Sequence, residues 1–373
     1  MKAIVNAKII TRTEVLEGYN LLFVKKIIKI TKELPIWAKT IDAKGLYLSA
    51  GFIDIHIHGS AGFDVMDGTP EALESISKSI LQTGTTSYLA TTMTMSQEDI
   101  EKALLNVQNF QHKKGAKILG IHLEGPFINP IKHGAQNPAH IQKPNLEFIE
   151  PYMDSIKMIT LAPEVAGGEA FIKDLQTRYP EILLSIGHSD ASYKESKESF
   201  TWGVSHATHL FNAMNPLHHR EPGVVGAVLE TEGISFDIIA DLIHIHPSFF
   251  KLLSSLKKDE LILVTDAMRA GCIKCGISEV GGQKVIVKEG EARLEDGTLA
   301  GSVLKLNEAL RNFYKYTNIS LPELLATVTS IPAQKLGLKT GSLEEGYLAD
   351  FVLFDKNFNI EYCFLDGELV ENI

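Results

Sequence analysis

Six side chains able to hold a metal ion or move a proton stand at or near the ends of apolar runs: His56, His58, Glu124, His188, His209 and Asp266. His56 and His58 are two residues apart, so on a strand both point to one side and converge. An HxH pair alone says little. All six at matching ends of buried runs say more, because an apolar core does not otherwise retain such groups. Four imidazoles and two carboxylates form a nitrogen and oxygen set that suits zinc, iron or a similar divalent ion. Glu124 lies between the two groups of ligands in chain order and could bridge two ions. A bound ion lowers the pKa of water to about 7, which points to hydrolysis at neutral pH. Asp266, in VTDAM, is the candidate general base that takes the water proton and hands it to a leaving amine. A plain ligand is the alternative role, and the two can coexist.

The runs that carry these residues number eight, near 48–59, 86–94, 117–126, 156–164, 182–189, 206–212, 234–241 and 261–268. Long apolar runs separated by amphipathic stretches such as PEALESISKSILQTG and SQEDIEKALLNVQNFQ are the pattern of βα units around a parallel sheet buried on both faces. Eight units predict an α/β chain folded as a (β/α)8 TIM barrel, with its site at the C-terminal strand ends. Residues 1–47 read instead as short alternating strands, and the tail from 346 to 373 returns to that texture. The expected organisation is a small β-sandwich domain formed from both chain ends, 1–47 plus 346–373, on a barrel spanning 48–345. A β-hairpin insertion is expected near 270–301, around the Asp296-Gly297 turn, and helices at 303–317 and 321–330.

Composition narrows the partners. A net charge of −10 gives no basic footprint for nucleic acid, although a few cations in a cleft can still hold a small anion. No apolar run is long enough to span a bilayer, and Lys8 and Arg12 interrupt any leader-like segment, so a cytoplasmic location is expected. Three cysteines in 373 residues make no disulfide framework. The Cys272 and Cys275 pair in CIKC could be a redox or zinc pair but has no second pair nearby, and Cys363 is expected to pack.

With HIH at 56–58, HLEGPF at 122–127, GHSDA at 187–191, THLFNAM at 208–214, HREPG at 219–223 and TDAM at 265–268, the chain resembles the N-acetylglucosamine-6-phosphate deacetylases of the amidohydrolase superfamily. That resemblance implies a metal site of Glu124, His188 and His209 with Asp266 as acid and base. It also implies an amino-sugar phosphate substrate and a homodimer. Substrate contacts are implied at Ala135, Gln136, Asn212, Ala213, Arg220, His244, Leu299, Ala300 and Gly301. Arg220 offers a fork of donors suited to phosphate, with His244 as a second donor; a surface salt bridge and an ordinary strand-end histidine are the alternatives. Asn212 and Ala213 could be turn formers, and LAGS a return strand.

Three departures bear on chemistry. Some relatives lack the first-strand histidines and use one ion, whereas His56 and His58 favour two. Histidine can stand in relatives where this chain has Gln136, so a second ion or Gln136 itself would polarise the acetyl carbonyl. The more usual DG before the seventh-strand histidine reads Asp241-Leu242. His133 and His140 receive no role. Rival readings are a cyclic-amide hydrolase or deaminase on the same barrel, and a non-catalytic sugar-phosphate or metal-binding protein. The first commonly needs a modified lysine at the fourth strand, where this chain has ITLAPE.

Overall fold

The computed structural model describes residues 1–111, 115–272 and 276–370. Eight parallel strands follow one another around a barrel: Phe52–Ile57, Thr85–Thr91, Lys117–Glu124, Ile156–Leu161, Leu183–Ile186, His206–Ala207, Ser235–Ile239 and Leu261–Val264. Each pairs with the next, and a bridge between Ile57 and Ala267 joins the last strand to the first at the C-terminal end. Two bonds tighten that seam, Asp266 N–H to the His56 carbonyl and His58 N–H to the Ala267 carbonyl, at 2.8 and 2.9 Å.

Helices cover the outside where the sequence pattern placed them. Pro70–Ile80 starts on the Thr69 hydroxyl cap and turns Ala72, Leu73, Ile76 and Ile80 inward, an i, i+4, i+8 face. Gln97–Asn109 starts on Ser96 and buries Ile100, Ala103, Leu104 and Val107. The stretches at 303–317 and 321–330 hold the helices Leu306–Lys315 and Leu321–Ala326, with Ser330–Lys335 following.

Both chain ends build the smaller sheets. One has four strands, all within the first 42 residues. The other has six, in which Tyr47–Ala50 pairs with Phe351–Phe354 and, on its other side, with Lys8–Ile10. Ile4, Ile9, Phe23, Leu48, Phe351 and Phe364 form their shared apolar core. Lys117, at the base of the third barrel strand, ties this part to the barrel through Asp350 and Asp366 at 2.7 and 2.8 Å.

The run at 48–59 is therefore two strands in two sheets, divided at Gly51. A side chain there would meet the Thr86 hydroxyl at 2.1 Å, so only glycine lets the backbone pass so close to the second barrel strand. The insertion also differs from a simple hairpin. It is a three-stranded antiparallel sheet of Gly276–Val280, Gln283–Lys288 and Glu291–Leu294, and the Asp296-Gly297 turn folds Leu299 back beside Arg293. Among the described residues no helix is long and apolar enough to cross a membrane.

Candidate metal centre and active site

Period-two geometry places the first ligands. His56 and His58 leave the first strand on the same side, with their Nε2 atoms 3.2 Å apart. Asp266 Oδ1, across the seam, lies 3.3 and 3.1 Å from them. A second set forms where Glu124 ends the third strand: its Oε1 lies 3.2 Å from Nε2 of both His188 and His209, which are 3.1 Å from each other. Glu124 also reaches the first set, with Oε1 at 3.4 Å from His56 and Oε2 at 3.2 Å from His58. Glu124 thus belongs to the second set of three and reaches the first, and all six side chains are buried.

This donor set fits metal. A tetrahedral ion with bonds of about 2.0–2.2 Å holds neighbouring ligand atoms roughly 3.3–3.6 Å apart, close to the 3.1–3.4 Å found here. His188 Nδ1 stands 2.9 Å from the Lys132 carbonyl and donates to it, which leaves Nε2 as the ring atom that faces the Glu124 carboxylate, with a lone pair to offer an ion. Two lone-pair-bearing atoms at that distance repel unless a cation lies between them. Burial alone would push the His56 imidazole down, but Glu124 and Asp266 outweigh it and raise it to about 9. His58 is likewise raised, against burial, by Asp266 and Glu124. Burial would raise the two carboxyls, yet the imidazoles hold Glu124 well below, and Asp266 below, their ordinary values.

Backbone strain marks the same residues. His188, His209 and Asp266 all adopt left-handed φ, at 49°, 34° and 46°, a conformation that non-glycine residues keep where the surroundings impose it. Acceptors hold the residues next to two of them. Asp54 takes the Thr265 hydroxyl at 2.6 Å, beside Asp266. Glu164 takes the Ser189 hydroxyl and the Asp190 N–H, each at 2.7 Å, beside His188. Below the ligands the barrel interior is polar: His122 Nε2 meets Thr160 at 2.7 Å, and Thr160 meets Thr208 at 2.7 Å. Burial and the neighbouring His56 push the His122 imidazole down, so it stays neutral.

A cavity of about 350 Å³ opens over the cluster. Its lining includes Ala135, Gln136, Asn212, Ala213, His244, Leu299 and Gly301; Ala300 is buried just behind. Gln136 is committed at both ends, Nε2 donating to Glu124 Oε2 at 2.7 Å and Oε1 accepting from Thr94 N–H at 2.6 Å. His244 is held by Asp241 at 2.7 Å, and Leu242 takes the left-handed φ of 70° that glycine would take more easily. Arg220 does not line this cavity: it lies on an exposed turn with its guanidinium against His219 at 2.7 Å. Arg293, from the insertion, does line it. Sequence reading passed over Arg293, whose only signal is its place before the Asp296-Gly297 turn. Asp54 and His122 were also missed, although each lies two residues before a ligand on its own strand and so shares that ligand's face. A larger crevice, about 980 Å³, lies between the β domain and the helices at 321–335 and contains neither donor set.

Cys272 is free and exposed, whereas Cys275 lies outside the described residues. Cys363 packs in the sheet core, where burial pushes its thiol up to about 12. His133 contacts the Gln136 carbonyl at 3.1 Å, and His140 ends a short 3₁₀ turn.

A model of the amidohydrolase family matches residues 47–370, and the chain belongs to that family of metal-dependent hydrolases. Its similarities are narrower than the family. It is 41% identical over 337 residues to the N-acetylglucosamine-6-phosphate deacetylase of Lysinibacillus sphaericus, covering 88% of this chain and 87% of that one. It is 31% identical to the N-acetylgalactosamine-6-phosphate deacetylase of Escherichia coli O157:H7, over 97% of each chain. The crystal structure of N-acetylglucosamine-6-phosphate deacetylase from Pasteurella multocida superposes with a TM-score of 0.93 at 34% identity, over the whole of both chains.

Proposed function

We propose that the chain hydrolyses N-acetyl-D-glucosamine 6-phosphate to D-glucosamine 6-phosphate and acetate, a step in amino-sugar catabolism and recycling. The observation that carries this reading is the Glu124 carboxylate between two donor sets at the floor of a cavity, in a chain similar throughout to deacetylases of that substrate. His56, His58 and Asp266 would hold one divalent ion, and Glu124, His188 and His209 a second. Zinc or iron suits this set, and a bound ion supplies Lewis acidity that lowers the pKa of water to about 7.

Asp266 faces the cavity with its carboxyl held low, so at neutral pH it is an acceptor. As water adds to the acetamide carbonyl carbon, Asp266 takes its proton. As the C–N bond breaks, the same carboxyl returns that proton to the amine. Gln136 clamps Glu124 and keeps one amide N–H for the substrate. Asn212, Ala213 and His244, with the 299–301 strand, would position the sugar phosphate. Arg220 would reach it by movement of its turn or from a second copy. A homodimer is part of the proposal, supported by exposed Leu217 on the same loop. So are a β domain of 1–47 plus 346–373 on a barrel of 48–345, and a cytoplasmic location, supported by the free thiols of Cys272 and Cys363.

Acetate release from N-acetylglucosamine 6-phosphate, its galacto epimer and unphosphorylated N-acetylglucosamine tests the substrate. The first should turn over fastest and the last barely. Equal rates with and without phosphate would exclude an anion site. A faster galacto epimer would reassign the sugar.

A further inference from the structure

Beneath His209 runs a buried chain that the reaction itself does not use. Ser235 and Asp237 share one face of the seventh strand, and His206 stands beside Ser235 in register on the sixth. His206 Nδ1 meets the Ser235 hydroxyl at 2.7 Å, and its Nε2 meets Asp237 Oδ2 at 2.9 Å. The three residue types are those of a hydrolytic triad, yet all are 0% exposed and none lines the cavity, so no substrate reaches them. Two side-chain bonds leave the chain: the Ser235 hydroxyl reaches the Ser205 carbonyl at 3.2 Å, and, toward the ligands, Asp237 Oδ1 accepts the N–H of His209 at 2.6 Å. The Asp237 carbonyl accepts the next amide, Leu210 N–H, at 2.9 Å.

Those two amides sit just past the end of the sixth strand. The sixth strand ends at Ala207, and His209, Phe211 and Ala213 then take left-handed φ of 34°, 82° and 48°. Three such residues in five are unfavourable without an anchor. The geometry points to Asp237 as the positioning residue for His209: its carboxylate, itself fixed by His206, pins the His209 backbone so that Nε2 faces Glu124 and His188. The inference rests on the reading of those three residues as an ion-binding set. A charge-assisted bond to a ligand's backbone then acts on ion affinity, where loss of an outer partner typically weakens binding about 10- to 100-fold.

The test is zinc affinity of the purified full chain, by competition with a chromogenic chelator, together with the visible spectrum of the cobalt-loaded protein. Asp237→Ala should bind zinc at least about tenfold more weakly, with a shifted cobalt spectrum. Asp237→Asn keeps one acceptor of about half the strength and should fall between, about threefold weaker than the parent. Lys257→Met is the control for lost stability alone. Lys257 donates to the Val228, Thr231 and Ile234 carbonyls at 2.9, 2.6 and 2.8 Å, away from the ligands. That variant should melt earlier with zinc affinity unchanged. Parental affinity in Asp237→Ala, or equal weakening in Lys257→Met, overturns the assignment. If Asp237→Ala does not fold, parental affinity in Asp237→Asn overturns it instead. A parent chain that binds no zinc overturns the ion-binding reading itself.

Discussion

Replacing Asp266 by asparagine isolates proton transfer from fold. The side chains are the same size, and asparagine tolerates the left-handed φ of 46° as aspartate does. The bonds that seat the residue are made by its backbone, its N–H to the His56 carbonyl at 2.8 Å and its carbonyl from Ser302 N–H at 2.7 Å, and both survive the change. What disappears is the charge on Oδ1, 3.1 Å from His58 and 3.3 Å from His56. An amide oxygen cannot carry a proton from water to amine. General acid and base catalysis is worth about 10²- to 10⁴-fold, or roughly 2.7–5.4 kcal/mol at about 1.36 kcal/mol per decade. The assay is acetate release at saturating N-acetylglucosamine 6-phosphate, with metal content and melting temperature measured on the same sample. The expected outcome is a folded, metal-containing protein with kcat lower by at least about a hundredfold and KM little changed. A variant keeping more than about a tenth of parental kcat would refute Asp266 as the proton carrier.

Three further outcomes follow from the same geometry. Glu124→Gln removes the carboxylate that reaches the histidines of both donor sets; metal analysis after dialysis should show metal depleted and turnover should vanish, whereas full metal content would exclude Glu124 as a ligand. Gly51→Ala places a methyl 2.1 Å from the Thr86 hydroxyl and should destabilise by about 1–3 kcal/mol, read by chemical denaturation, with an unchanged midpoint contradicting the close approach. Burial lifts the Cys363 thiol to about 12, so at pH 8 nearly all of it is protonated; peptide mass analysis should find Cys363 unlabelled by a thiol reagent in native protein and labelled after denaturation.

The barrel was legible in the sequence because its strands are buried on both faces and so read as unbroken apolar runs. For the same reason hydropathy could not divide the run at 48–59: Leu48 and Ala50 are as buried in the β domain as Phe52 and Ile53 are in the barrel. Only the close contact at Gly51 separates them. The ligands were legible because barrel sites gather at one end of the strands, so histidine and carboxylate there stand out. Their supports were not. Asp237, Glu164 and Asp54 are ordinary acidic residues until their through-space partners are known. Arg220 shows the opposite failing: its chemistry suits phosphate, but the turn that carries it holds it outside the cavity of the single chain. The third strand of the insertion left a readable signal, since Gly281-Gly282 and Glu289-Gly290 each mark a turn and three strands need two.

Acetate release from N-acetylglucosamine 6-phosphate, by chain stripped with chelator and then titrated with zinc or iron, tests most directly whether one ion-dependent site performs amide hydrolysis. Stripped protein should show no turnover, with recovery that rises with added ion and levels off at two per chain. Full turnover by protein shown to contain no metal would contradict ion dependence.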